Sequence, residues 1–122
     1  MEGSKERGRR GERIASRYLL RKGYSIIRRN YRSSYGEIDI IAFDESTRTV
    51  VFVEVKLRKR GSQVTPLEAI DGVKRRKIVK TALKFLNETE LAYEAVRFDV
   101  IGIEDGDLPT VVHVEDAFQL NC

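Results

Sequence analysis

The sequence predicts an α/β domain in which a β-sheet is covered by helices on both faces. Three observations carry this prediction. Apolar residues recur at helical spacing near the start of the chain and again after residue 65, four segments show the β-rich or alternating pattern of strands, and the helical regions flank the strand cluster. The 122 residues, 41% hydrophobic and 34% charged, suit a single domain over 1–122. At this length about two thirds of the unfolded surface is buried on folding, so the core needs no cross-links. Cys122 is the only cysteine, which excludes an intrachain disulfide and favours a reducing compartment. No uninterrupted apolar run of about 18 residues occurs, and the first residues are charged, so neither a spanning helix nor a secretory segment is expected. The expected location is the cytoplasm.

Each element has its own signal. Residues from about 5 to 22 read as a helix: Ile14, Ala15, Tyr18 and Leu19 share a face, Leu20 widens it, and Gly23 is the stop. Arg9, Arg13, Arg17 and Arg21 line up at four-residue intervals along it. Tyr24 to Tyr31 is rich in isoleucine and aromatic residues and reads as a strand. Glu37 to Phe43 and Val50 to Leu57 follow, joined by a turn-like Asp44-Glu45-Ser46-Thr47-Arg48-Thr49, which makes an antiparallel hairpin the simplest connection. A second helical region opens at Thr65-Pro66-Leu67-Glu68, where Thr65 caps, Pro66 suits the first helical position and Glu68 completes a capping box. Asp71-Gly72 divides it, leaving a longer helix from about 73 to 87. Ala95 to Ile103 is a further strand, and Thr110 to Val114 an edge strand.

The net charge of +4 conceals a segregated distribution. Residues 1–32 carry +8, 33–55 carry −4, 56–84 carry +8 and 85–122 carry −8. Separated basic blocks suit a polyanionic partner, because Lys and Arg that neutralise phosphates release condensed counterions. Solvated helix faces would give the same counts.

Strand side chains alternate between faces, and the two faces of the hairpin differ. One presents Ile38, Ile40 and Ala42 with Val51, Val53, Val55 and Leu57, and must pack on a core. The other carries Glu37, Asp39, Ile41 and Phe43 on one strand and Phe52, Glu54, Lys56 and Arg58 on its partner. A turn centred on Ser46/Thr47 places Phe43 opposite Val50, Ile41 opposite Phe52, Asp39 opposite Glu54 and Glu37 opposite Lys56. Opposed like charges destabilise a sheet and demand compensation. Two arrangements provide it: a divalent cation held by Asp39 and Glu54, for which hard oxygen ligands suit Mg²⁺ or Mn²⁺, or Lys56 neutralising both acids across the hairpin. In the first, Lys56 would serve an attacking water and the charge that develops on phosphorus.

Gly36-Glu37-Ile38-Asp39-Ile40-Ile41 and Val51-Phe52-Val53-Glu54-Val55-Lys56-Leu57-Arg58 resemble the YraN family of small bacterial proteins, placed in the PD-(D/E)XK nuclease superfamily. Gly8-Arg9-Arg10-Gly11-Glu12, Lys22-Gly23-Tyr24, Arg29-Asn30-Tyr31, Arg97-Phe98-Asp99-Val100-Ile101 and Asp116-Ala117-Phe118 extend the resemblance over nearly the whole chain. It implies a restriction-endonuclease-like core, a mixed β-sheet sandwiched between helices, similar to that of archaeal Holliday-junction resolvases. Residue by residue, Asp39 matches the aspartate of the motif, Glu54 its D/E position and Lys56 its lysine, with Ile38 where the motif name has proline. Glu12 matches a helix glutamate that resembles an accessory metal-site residue. The implied activity is Mg²⁺- or Mn²⁺-dependent hydrolysis of phosphodiester bonds in DNA, branched or damaged DNA included. The alternative is a non-catalytic nucleic-acid-binding module in a repair or recombination assembly.

Arg9, Arg13, Arg28, Arg29, Arg32, Arg58, Lys59, Arg60, Lys74, Arg75, Arg76 and Lys77 are the candidate phosphate contacts. Tyr31 and Tyr35 interleave with arginines, where they serve either strand-end packing or base stacking. Glu37 is a pairing partner for Lys56 or a further ligand. Asp99 is expected to pair with Arg97, and His113, the only histidine, to be structural or exposed. No dimer motif appears; a homodimer would draw on spare apolar residues near Val111, Val112 and Phe118.

Overall fold

A computed structural model describes residues 3–61 and 70–119. The element order is α1 (Ser4–Arg21), β1 (Ser25–Arg32), β2 (Glu37–Asp44), β3 (Thr49–Arg58), α2 (Gly72–Glu88), β4 (Ala95–Glu104) and β5 (Thr110–Phe118). The capping box at Thr65–Glu68 and Cys122 lie outside the described residues. The strands form one sheet in chain order, β1-β2-β3-β4-β5. All neighbours are antiparallel except β3 and β4, which pair in parallel from Thr49↔Ala95 to Arg58↔Glu104. A parallel pair needs a long crossover, and the segment containing α2 provides it. The result is an α/β fold with a mixed sheet, consistent with a restriction-endonuclease-like core.

Each helix covers one face. On the α1 side, Ala15 and Leu19 pack with Tyr24, Ile40, Ala42, Val51, Val53, Ile101 and Ile103. On the α2 side, Ile78, Ala82 and Phe85 pack with Ile38, Ile41, Phe43, Phe52 and Phe98. Phe85, Phe52, Phe98 and Phe118 form a chain of aromatic contacts with centroids 5.0–6.0 Å apart. Phe118 is therefore core, only 4% exposed, and not the spare apolar residue that the sequence suggested. β5 runs to Phe118 rather than Val114 because it absorbs a bulge opposite Asp99, with Asp116 at φ 53°.

Gly23 ends α1 as expected. Its N–H bonds to the carbonyl of Leu20 and the next N–H, from Tyr24, to that of Leu19, each at 3.0 Å, with Gly23 at φ 93°. This is the glycine-closed Schellman arrangement that satisfies terminal carbonyls. At the other boundary, the Asp71 carboxylate accepts the Lys74 N–H at 2.9 Å and starts α2 at Gly72.

The hairpin register agrees with the sequence from Asp44↔Thr49 to Ile40↔Val53 and then stops. Asp39 does not pair with Glu54, nor Glu37 with Lys56: the Asp39 Oδ2 atom accepts the Val55 N–H at 2.8 Å, so a side chain closes the end of the ladder. Strand alternation also reverses here. Asn30 of β1 takes φ 52°, and Ile38 joins the α2-side core while Ile40 remains on the α1 side. Ile38 thus departs from the apolar face to which strict alternation assigned it.

Candidate metal and phosphate site

The fork where β2 leaves β3 opens into a cavity of about 390 Å³ lined by Gly36, Glu37, Asp39, Glu54, Asp71, Lys74 and Lys77, among others. The apolar neighbours explain its electrostatics. Glu54 is 3% exposed, and its Oε1 atom is buried with no hydrogen-bond partner. Burial, and then the charge of Asp39, push the Glu54 carboxyl up to about 8. Burial likewise raises Asp39, held back by the Val55 N–H and by Lys74 and Lys56.

Two cations offset these acids. Lys56 follows Glu54 by two residues on β3, and Lys74 comes from the first turn of α2, with its Nζ 3.5 Å from Glu54 Oε2. Each amine perturbs the other. Burial and then Lys74 lower the pKa of Lys56. Burial also opposes charge on Lys74, but contacts with Lys56, Glu54 and Asp39 outweigh it and raise its pKa. Lys74 therefore keeps its proton more firmly, and Lys56 gives its proton up more readily.

Glu12 approaches from the opposite helix. Its neighbour Gly11 faces Leu57 and Val55 of β3, where a Cβ would make ordinary contacts at 3.5 Å. Glu12 is half-buried and hydrogen-bonds Asn30; burial and then the Asp39 charge raise its pKa. It lines a second cavity of about 380 Å³ with Lys5, Gly8, Arg9, Asn30, Arg32 and Glu37. Glu37 borders both cavities and pairs with Arg32 at 3.1 Å, not with Lys56. Among the described residues, no three His, Cys, Asp or Glu side chains gather closely enough to hold a metal by themselves. The donor set that fits a hard divalent cation is Asp39 with Glu54, whose orphaned oxygen lacks any other partner. The remaining positions would fall to water and phosphate.

The candidate phosphate contacts divide. Lys74 and Lys77 line the carboxylate cavity, and Arg9 and Arg32 the Glu12 cavity. Arg29 feels Glu12, whereas Arg28 lies over the Tyr31 ring on the α2 side. Arg75 donates to the Ile70 carbonyl at 3.1 Å and lies over Phe118, which ties it into packing. Arg60 reaches the β4–β5 turn beside Gly106. Arg13, Lys59 and Arg76 are exposed, and Arg58 is half-buried at the end of β3.

Two features exceeded sequence reasoning. Lys74 counted only as a phosphate contact, although its spacing to Ile78, Thr81 and Phe85 follows the inward stripe of α2. Asp99 pairs with Arg97 as expected, but at the centre of a larger network. Its carboxylate takes Arg97 Nε at 2.9 Å, His113 Nε2 at 2.7 Å and the Asp116 N–H at 3.0 Å. Because a carboxylate only accepts, His113 Nε2 carries a proton, and Nδ1 shares a hydrogen bond with the Tyr18 hydroxyl at 3.0 Å. Asp99 is wholly buried and the His113 side chain 4% exposed, so this cluster braces α1, β4 and β5 on the inside.

No helix of the described residues is long and apolar enough to cross a membrane. The family model described as "Uncharacterised protein family UPF0102" matches residues 11–103. The chain is 44% identical to a UPF0102 protein of Pelobacter propionicus over 93% of its own length and 82% of that protein's. It is equally similar to UPF0102 proteins of Desulfosudis oleivorans (93% and 90% covered) and Rhodococcus opacus (91% and 94% covered). With the motif-bearing strands β2 and β3 inside the matched span, this chain belongs to the UPF0102, or YraN, family.

Proposed function

We propose that this protein is a metal-dependent endonuclease that hydrolyses phosphodiester bonds in DNA, branched or damaged DNA included. The observation that carries the reading is the meeting of Asp39, Glu54 and Lys74 in one cavity, with Lys56 within reach of their charges and a buried Glu54 oxygen that has no partner. Asp39 and Glu54 would hold Mg²⁺ or Mn²⁺, which when bound supplies charge neutralisation at the phosphate and a more acidic water. Lys56 orients the attacking water and stabilises the negative charge that develops on phosphorus. Lys74 holds Glu54 in place and offers positive charge to the phosphate oxygens. Glu12 adds a further carboxylate within reach of the Asp39 charge, and Arg9, Arg32 and Lys77 bind the backbone on either side.

The absence of a three-acid cluster among the described residues favours a second reading, a non-catalytic nucleic-acid-binding module. One experiment separates them: cleavage of linear, flapped and four-way DNA with Mg²⁺ or Mn²⁺ by wild type, Asp39→Ala and Lys56→Ala. The nuclease reading expects cutting by wild type and loss in both variants. Salt-sensitive binding without any cutting would establish the module, and the same activity in all three proteins would refute the mechanism.

A further inference from the structure

Of the two tyrosines among the arginines, Tyr31 is packed away, 4% exposed and bonded to Glu88 at 3.1 Å. Tyr35 is 51% exposed at the β1–β2 turn. That turn is pinned to α2. The Ser33 N–H donates to the Gly36 carbonyl at 2.8 Å, the Tyr35 N–H donates to Ser33 Oγ at 3.0 Å, and Ser33 Oγ meets the buried Thr81 Oγ1 at 3.1 Å. Thr81 in turn donates to the Lys77 carbonyl at 2.8 Å. A ring on such a base needs little further ordering when a ligand arrives.

The Tyr35 ring walls a cavity of about 580 Å³ with Ser34, Lys80, Leu83, Lys84 and Asn87. Lys80 Nζ lies 5.8 Å from the ring centroid, and Leu83 is 45% exposed. The next residue in the chain, Gly36, lines the carboxylate cavity. One face of α2 joins the two. Lys74 and Lys77 border the carboxylates while Lys80 and Lys84 border Tyr35, and the row spans about 15 Å along the helix. Lys84 shares its charge with Glu88 at 2.6 Å, so Lys80 is the main cation beside the ring.

A phosphate backbone following this row would pass the carboxylates and carry a base to Tyr35. In a duplex both faces of a base are occupied by its stacked neighbours, so only an unpaired or extruded base can lie on the ring. We propose that Tyr35 with Lys80 forms a base-stacking subsite beside the scissile phosphate. It selects a single strand, flap or splayed junction arm over intact duplex. This rests on the nuclease reading for the position of the cut, but its binding signature is independent of cleavage.

The test is equilibrium binding, in EDTA, of a fluorescein-labelled single strand, a flapped duplex and a blunt duplex to wild type, Tyr35→Phe and Tyr35→Ala. Tyr35→Ala is expected to weaken single-strand and flap binding about tenfold and leave blunt-duplex binding unchanged. Tyr35→Phe, which keeps the ring, should match wild type. A fluorescent base analogue in the flap should be quenched by wild type and Tyr35→Phe only. An equal loss on all three DNAs, or no loss on any, overturns the subsite and leaves the nuclease reading standing; the second result is also the one a protein-contact role for Tyr35 would give. A wild type that binds none of them overturns both. The expected binding pattern without metal-dependent cutting overturns catalysis and retains the subsite.

Discussion

Lys74 Nζ lies 3.5 Å from Glu54 Oε2, so a cation on the crossover helix reaches a carboxylate buried in the sheet. Removing it takes away both a charge aimed at the phosphate and the partner that keeps Glu54 in position. Lys74→Ala should lower the single-turnover cleavage rate about a hundredfold, while DNA affinity changes by less than about tenfold. Rapid-quench kinetics beside a binding isotherm would distinguish this from a plain backbone contact, which would move affinity alone.

Asp39 and Glu54 repel each other in an environment of low polarity. With its carboxyl raised to about 8, Glu54 must hold near neutral pH a proton that the unfolded chain gives up; Glu54→Gln keeps the shape without that cost, so in metal-free buffer it should melt higher than wild type. Each kcal/mol recovered corresponds to about 3–5 °C at this chain length. Mg²⁺ should raise the wild-type midpoint by mass action and leave Glu54→Gln nearly unmoved. Differential scanning fluorimetry with and without Mg²⁺ reads both.

For Asp99, burial opposes ionisation, but His113, Arg97 and the Asp116 N–H more than offset it, and its pKa falls below the ordinary value of 3.8. A carboxylate with a depressed folded-state pKa stabilises the fold above its unfolded pKa, and the contribution is lost as pH falls through the folded one. Wild type should therefore lose stability steeply below about pH 4. Asp99→Asn should cost about 3–5 kcal/mol at neutral pH, because Arg97 loses its buried partner, and show a shallower acid dependence. Urea unfolding over a pH series measures both.

Gly23 occupies φ 93°, where a Cβ is strained, and nothing lies within 4 Å of where that Cβ would be. The cost of Gly23→Ala is thus conformational and should come to about 1–2 kcal/mol. The urea midpoint should shift with an unchanged slope.

The sequence made the hairpin register legible because apolar periodicity on two strands and the turn between them admit one centred pairing. It did not reveal that the ladder ends at Ile40↔Val53. That depends on a side chain, Asp39, bonding the backbone of Val55, which alternation cannot express. Ile38 changed faces as well, beside a stretch of β1 where Asn30 takes a left-handed conformation, which alternation likewise cannot express. The acids and Lys56 could be found from their spacing on adjacent strands. Lys74 needed the crossover to place α2 over the fork, and the Tyr18–His113–Asp99 network joins positions up to 95 residues apart.

The early end of the β2–β3 ladder bears on how such a protein can change over generations. Its chemical groups project from where β2 and β3 part, each strand still paired with its outer neighbour, while the packing that secures the sheet lies at Ile40, Ile41, Phe52 and Val53. Exchange of the acids therefore spares the scaffold, and by relieving their repulsion can strengthen it. On the nuclease reading, a lineage could lose catalysis in one step and inherit a sturdier DNA-holding protein, or regain chemistry by restoring a carboxylate at the same fork.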